Sequence, residues 1–238
     1  MINNKRILAI IPARGGSKGL PNKNIKLLLD KPLIAWTIEQ AKNSKFIDEI
    51  HVSTDSPNIA KISEEYGIKV PSLRPENLAQ DNSSSADVVD YIIKKYEEQN
   101  QFFDYIILLQ PTSPLRKKND IDNAIKLILK FPNHDGIISL GEVYGSHPAI
   151  FKKIHNNTIQ PYFEDFQQKN RRQDLEKIYH PYGFFYLIKT NIFKEQKTFY
   201  TKNILPYSIE RWQITDIDDE FDFISCEAIL KTKIHEIL

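Results

Sequence analysis

Ile10-Ile11-Pro12-Ala13-Arg14-Gly15-Gly16-Ser17-Lys18-Gly19-Leu20-Pro21-Asn22-Lys23-Asn24 sends an apolar strand straight into a turn rich in glycine and cations. Glycines let backbone N–H groups approach phosphate oxygens closely, and Arg14, Lys18 and Lys23 place positive charge beside them. Two familiar phosphate loops do not fit. A Walker loop needs Gly, four residues, then Gly-Lys-Ser/Thr, and a dinucleotide fold needs Gly-x-Gly-x-x-Gly opening a helix; Gly15 to Gly19 matches neither. Pro21-Asn22-Lys23-Asn24 reads as more loop. A lone turn of this kind is as often a solvated surface loop as a phosphate site, so its surroundings decide.

Outward from it, short apolar runs alternate with segments of helical period, the pattern of an α/β protein with a largely parallel sheet. Strands are predicted at 7–12, 49–54, 105–110, 136–140 and 184–188. Helices are predicted at 33–43, 86–99 and 120–130, where Ile34/Ile38/Ala41, Val88/Val89/Ile92/Ile93/Tyr96 and Ile121/Ile125/Ile128 form stripes that a sheet can bury. In open sheets of this kind the ligand sits beyond the carboxyl ends of the strands, so the Arg14 loop, Thr54-Asp55 and Gln110-Pro111-Thr112 fall on one rim. The polar, aperiodic stretch 145–181 is too long for a structureless loop in a compact domain and is expected to be an inserted arm or lid.

The chain has 238 residues and 41% hydrophobic side chains, enough for one substantial core, and one domain over 1–238 is the default. A formal net charge of +1 with mixed signs offers no global field for nucleic acid or an anionic membrane. The single Cys226 forbids an internal disulfide, the early apolar run stops at Pro12, and nothing approaches a membrane span, so cytoplasmic residence is expected.

Three further constellations can carry chemistry. Leu73-Arg74-Pro75 is followed by Ser83-Ser84-Ser85, where a serine ahead of an apolar-periodic run is ordinary helix N-cap chemistry. Gln110-Pro111-Thr112-Ser113-Pro114-Leu115-Arg116 ends a buried strand in turn residues. Thr215-Asp216-Ile217-Asp218-Asp219-Glu220 opens the final helix, with an apolar face expected at Ile217, Phe221, Ile224 and Ala228. Acids gather at helix starts for electrostatic reasons alone, yet Asp-x-Asp also suits magnesium, which takes one or two carboxylates and keeps several waters.

In order along nearly the whole chain, these motifs and Arg171-Arg172-Gln173-Asp174 resemble the CMP-sialic acid synthetases, or acylneuraminate cytidylyltransferases, a family including the CMP-legionaminic and CMP-pseudaminic acid synthetases. The resemblance implies a Rossmann-like nucleotidyltransferase fold, a three-layer α/β/α with a mainly parallel mixed sheet and a protruding dimerisation arm. It implies that Arg14, Lys18, Lys23 and Asn24 surround the triphosphate of CTP, with Arg74 on the cytosine edge and Ser85 near the nucleoside. Gln110 would face a nonulosonic acid acceptor, Asp216 and Asp218 would hold Mg2+, and Lys23, Arg14 and Asp218 would be catalytic. In a homodimer, Arg172 and Lys152 of the arm would complete the neighbour's anion pocket, with Phe199 and Tyr200 on its apolar side. Two departures stand out: Tyr182-Gly183-Phe184 where the family usually has Asn-Gly-Ala, and Glu176 where a proline is common. The alternatives are a CMP-Kdo-type enzyme, disfavoured by the Gln110 string, and a non-catalytic dimeric nucleotide-binding domain, disfavoured by Lys23, Asp216 and Asp218.

Overall fold

A computed structural model describes residues 2, 4–80, 82–163, 171 and 174–237. Its centre is β1 (Ile7–Pro12), whose side chains are buried on both faces up to Ile11. Such a two-sided strand reads as a continuous apolar run because helices cover both sides of the sheet. β1 pairs in parallel with β4 (Glu49–Ser53) and with β5 (Tyr105–Leu108). The other half is joined through β9 (Tyr179–Lys189), antiparallel to both β5 and β6 (Gly136–Glu142), with β10 (Ile204–Ile209) parallel to β6 at the edge. The six-stranded order is β10-β6-β9-β5-β1-β4. The two short strands β2 (Leu27–Leu28) and β3 (Lys31–Pro32) form a separate hairpin.

Alternation along β1 splits the core in two. Ile7, Ala9 and Ile11 join one cluster with α1 (Leu33–Asn43), α2 (Pro57–Glu65), α4 (Asp120–Lys130) and α6 (Glu220–Ile237). Leu8 and Ile10 join the other with α3 (Ser85–Glu98) and α5 (Thr190–Gln196). The layers are therefore α/β/α, as expected. The stripe Val88, Val89, Ile92 and Ile93 is buried as its spacing requires, each side chain contributing about 1.5–3 kcal/mol relative to exposure. Ser84 caps α3 by accepting the Asp87 N–H at 3.1 Å, which assigns the cap to Ser84 and leaves Ser85 as the first helical residue.

Several expectations need correction. β9 begins at Tyr179, five residues ahead of the predicted 184, so the antiparallel strand enters the stretch assigned to the arm. Within 145–181, expected to be an arm, β7 (Lys152–His155) and β8 (Thr158–Pro161) form a hairpin across Asn156 and Asn157, both at positive φ as a tight hairpin turn demands. α6 starts at Glu220 and buries Phe223, Cys226, Leu230 and Ile237, whereas Phe221 is 81% and Ile224 55% exposed. The reason is the non-helical link 214–219, which breaks the helical phase between Ile217, itself buried in the core, and the residues after it. No helix among the described residues is long and apolar enough to cross a membrane.

Candidate active site

The carboxyl ends of β1 and β5 open onto one cavity of about 610 Å³, while Thr54 and Asp55 after β4 stand behind its lining. Its lining includes Arg14, Lys18, Lys23 and Asn24 from the first loop, Arg74 and Ser85, Gln110 beyond β5, and both Asp216 and Asp218. Nine of the thirteen residues singled out from sequence thus meet in one place, although they span positions 14 to 218 of the chain.

The first loop is held from two sides. The Gly15 N–H donates to Asp55 Oδ1 at 2.9 Å, and the buried Asn24 donates from Nδ2 to the Arg14 carbonyl at 3.0 Å. Asn24 therefore lines the cavity with its amide already committed to shaping the loop. At the far end Gly19 lies against Asp218: a Cβ built on Gly19 would stand 2.4 Å from the Asp218 carbonyl oxygen. Lys23 ties the same segments together, donating from Nζ to the Ile217 carbonyl at 2.5 Å and to Asp218 Oδ1 at 3.2 Å. Its side chain is 11% exposed and that of Asp218 is 85% exposed, so the ammonium is fixed while the carboxylate faces the open cavity.

The acidic segment is docked by β5's following loop. The Ile217 N–H donates to the Thr112 carbonyl at 2.9 Å, and the buried Ser113 donates from Oγ to Asp216 Oδ1 at 3.3 Å. Among the described residues no group of three or more His, Cys, Asp or Glu could hold a metal. Two carboxylates lining one cavity with the three cations of the first loop nevertheless suit magnesium, which takes few protein ligands and fills its octahedron with waters and phosphate oxygens.

Arg74 is buried and anchored on β4, its Nε donating to Ser53 Oγ at 2.9 Å and one terminal nitrogen to the Ser53 carbonyl at 2.5 Å. Its other terminal nitrogen makes only a long contact, 3.4 Å, to the Leu78 carbonyl, so one arm of the fork remains the more available. Burial lowers its pKa, with Asp55 opposing and Arg14 reinforcing the shift. Leu78, Gln80, Ser83 and Val88 complete that end of the cavity.

Three of the named residues that the structure describes, Phe199, Tyr200 and Lys152, do not line the cavity. Phe199 is 7% exposed and packs between Phe193 and Tyr186 in the α3/α5 core, where its ring is a packing group. Tyr200 is 59% exposed, its hydroxyl 3.5 Å from that of Tyr186. Arg172 lies outside the described residues, and Lys152 is exposed on the hairpin. Conversely, the sequence placed Asp55 on the rim without a role and attached none to Ser53, Ser113 or Arg116. Asp55 holds the first loop at Gly15, and the other three each hold a residue that lines the cavity.

A nucleotidyltransferase layout is thus in place: an α/β/α sandwich whose cation-rich first loop faces an acidic pair across a cavity at the strand ends. The chain belongs to the cytidylyltransferase family, whose model matches residues 8–225. It is 36% identical over 220 residues to the N-acylneuraminate cytidylyltransferase of Escherichia coli, covering 92% of this chain and 50% of that protein. The chain thus spans half the length of that relative. It is 38% identical to the CMP-N,N'-diacetyllegionaminic acid synthase of Legionella pneumophila, covering 95% of this chain and 97% of the other. The match to the pseudaminic acid cytidylyltransferase of Campylobacter jejuni is 35%, over 96% and 97%. Among solved structures, CMP:2-keto-3-deoxy-manno-octonic acid synthetase complexed with CTP superposes with a TM-score of 0.71 at 17% identity, covering 96% and 99% of the two chains. 4-Diphosphocytidyl-2C-methyl-D-erythritol synthase gives 0.67 at 11%, over 95% and 99%. These two likenesses speak for the fold alone.

Proposed function

We propose that this cytidylyltransferase joins CTP to a nonulosonic acid, a nine-carbon 2-keto sugar acid of the sialic, legionaminic or pseudaminic type, giving the CMP-sugar and pyrophosphate. The observation that carries the reading is the meeting of Lys23 with Asp218, and of Gly19 with the Asp218 backbone, inside the cavity that Arg74 and Gln110 also line. The names of the 34–38% identical relatives agree with it.

The chemistry follows from positioning and charge. Such transfers depend on in-line placement and neutralisation more than on covalent help from the protein. Arg74 and the α3 N-terminal serine Ser85 receive the nucleoside, while Arg14, Lys18 and the backbone of Gly15 to Gly19 receive the triphosphate. Lys23, held against the acidic segment, is placed to offset charge on the departing pyrophosphate. Gln110 presents both a donor and an acceptor to the sugar's polar groups. A magnesium ion held by Asp216 and Asp218 would supply charge neutralisation at the α-phosphate and favour loss of the attacking hydroxyl's proton.

The chain is further proposed to act as a cytoplasmic homodimer through 145–181. In support, Ile154 and Ile159 are 81% and 72% exposed on the β7–β8 hairpin, and a lone two-stranded hairpin is marginal in water without a covering surface. Sedimentation velocity tests it, a monomer at micromolar concentration arguing against.

The functional test is direct: incubate the purified protein with CTP, Mg2+ and a panel of nonulosonic and eight-carbon 2-keto sugar acids, and detect each CMP-sugar by mass. CMP-nonulosonate with equimolar pyrophosphate supports the proposal. Product only from the eight-carbon acid, or nucleotide binding without any pyrophosphate release, refutes it.

A further inference from the structure

Where β9 crosses β6 the ladder slips: Ile138 pairs with Tyr186, but Leu140 pairs with Pro181. Tyr182 to Phe185 therefore face the single residue Ser139, and their backbone groups lose regular partners on that side. In a buried strand such groups must be satisfied by something else. Two buried side chains do it. Ser139 Oγ lies 2.8 Å from the Tyr182 carbonyl and 3.1 Å from the Phe185 carbonyl, and accepts the Phe185 N–H at 3.2 Å. Arg116, with no exposed surface, donates from Nε to the Phe184 carbonyl at 2.5 Å. One terminal nitrogen of Arg116 reaches the Gln110 carbonyl at 2.7 Å and the Gly183 carbonyl at 3.4 Å; the other binds Thr37 Oγ1 at 3.1 Å and Gln40 Oε1 at 3.0 Å.

A guanidinium buried this deeply normally faces a carboxylate. Here the oxygens that accept its hydrogen bonds are all neutral, and Asp120 and Asp216 act on it only through charge, which is the arrangement of a group that shapes backbone. What it shapes is the seat of Gln110. The Gln110 N–H donates to the Gly183 carbonyl at 3.2 Å while its own carbonyl is taken by Arg116. Its side chain lies directly on Gly183: a Cβ there would stand 1.7 Å from Gln110 Oε1 and 2.7 Å from its Cδ. Gly183 is thus needed for the space it leaves empty, its φ lying outside the left-handed region. Bulges beside active sites commonly re-aim a side chain, and this one aims an amide that lines the cavity.

We propose that Gly183 and Arg116 are positioning residues that fix the Gln110 amide for recognition of the acceptor sugar acid, leaving nucleotide binding to the other wall of the cavity. The inference rests on the functional reading above for the identity of the acceptor. The atoms a Gly183 Cβ would strike belong mainly to the end of a flexible side chain, so Gly183→Ala moves Gln110 and spares the fold. Arg116→Lys keeps the charge but cannot hold Gln110, Gly183 and Phe184 with one planar fork.

The test compares wild type, Gly183→Ala, Arg116→Lys, Gln110→Ala and the double variant Gly183→Ala/Gln110→Ala. For Gly183→Ala and Arg116→Lys, kcat/KM for the sugar acid should fall by about 10- to 100-fold with KM for CTP within about twofold. The double variant should match Gln110→Ala alone, because the glycine acts through the glutamine. Independently of turnover, the Gln110 side-chain amide NMR signals, assigned by their loss in Gln110→Ala, should be resolved in wild type and move toward solvent-exposed values in both single variants. Equal changes in KM for CTP and sugar, additive losses in the double variant, or unmoved amide signals would each overturn the proposal. Should Arg116→Lys fail to fold, Gly183→Ala decides. A wild type that accepts no sugar acid would remove the functional reading, and the amide signals would still decide the positioning.

Discussion

Replacing Gly19 with alanine probes the contact on which the site is built. The new methyl would lie 2.4 Å from the Asp218 carbonyl oxygen, about 1 Å short of ordinary contact at 3.4 Å, and the obstruction is backbone, which cannot rotate away. Either the cation loop or the acidic segment must retreat by that distance. Overpacking of this kind costs about 1–3 kcal/mol of stability, and a 1 Å misplacement around a reacting centre can cost about 100-fold in rate. Gly19 does not adopt a positive φ, so no backbone strain confuses the outcome. Turnover is read as pyrophosphate release at saturating CTP and sugar acid, with folding followed by thermal melting. The expected result is a folded protein whose kcat falls about 100-fold. A variant within twofold of wild type would refute the claim that the loop and the acidic segment must meet closely for catalysis.

The remaining predictions address single groups. Asp218→Ala should lower pyrophosphate release by about 100-fold or more, while stability, read by urea unfolding, stays within about 0.5 kcal/mol because the side chain is 85% exposed. Lys23→Ala should reduce kcat more than it weakens CTP binding measured by calorimetry; an unchanged rate would remove its assigned role. Ser53→Ala deletes the 2.9 Å bond to Arg74 Nε and should weaken CTP binding by about fivefold, near 1 kcal/mol, at unchanged kcat. Burial, helped by Lys95 and Arg74, lowers the His51 pKa to about 4. The unfolded chain takes this proton from about pH 6.5 downward and the native state does not, so His51 erodes stability as pH falls between these values, by up to about 3 kcal/mol. Urea unfolding of His51→Gln should show a shallower loss over that window, and parallel curves would contradict the assignment.

Much of the fold was legible because β1, β4, β5 and β6 are short apolar runs and α1, α3 and α4 keep a helical stripe. β10 escaped notice since Ile204–Ile209 is a half-exposed edge strand carrying Pro206, a residue that argues against a strand in sequence yet is tolerated at an edge. α2 announces itself only through Ser56 and Pro57, a cap and a first-turn proline that also read as a turn. In α6 apolar residues occur on more than one side, so the buried face could be read only once its start at Glu220 was known.

The site was legible where motifs carry charge or glycine, and the holding residues were not. Ser53 looks like an ordinary strand end, and Ser113 and Asp55 like turn residues after strands; their meaning lies in Arg74, Asp216 and Gly15, which the fold alone brings to them. Arg116 stands in sequence only as the last residue of the Gln110 string, with no role attached. Only the β9 bulge, itself invisible in sequence, shows why a fully buried cation stands there. Phe199 is the converse case, an aromatic beside an exposed tyrosine that sequence reads as pocket wall and that within this chain packs against Phe193 and Tyr186.

The central claim is that the amino-terminal cations and the carboxyl-terminal acids grip one triphosphate from two sides. A crystal structure with CTP and Mn2+, the metal located by its anomalous signal, tests this most directly. The account predicts the metal on Asp216 or Asp218 and on a phosphate oxygen, at about 2.0–2.3 Å, with Arg14, Lys18 and Lys23 within hydrogen-bond reach of the same triphosphate. A triphosphate lying away from the Gly15–Gly19 loop, or a metal contacting neither aspartate, would contradict it.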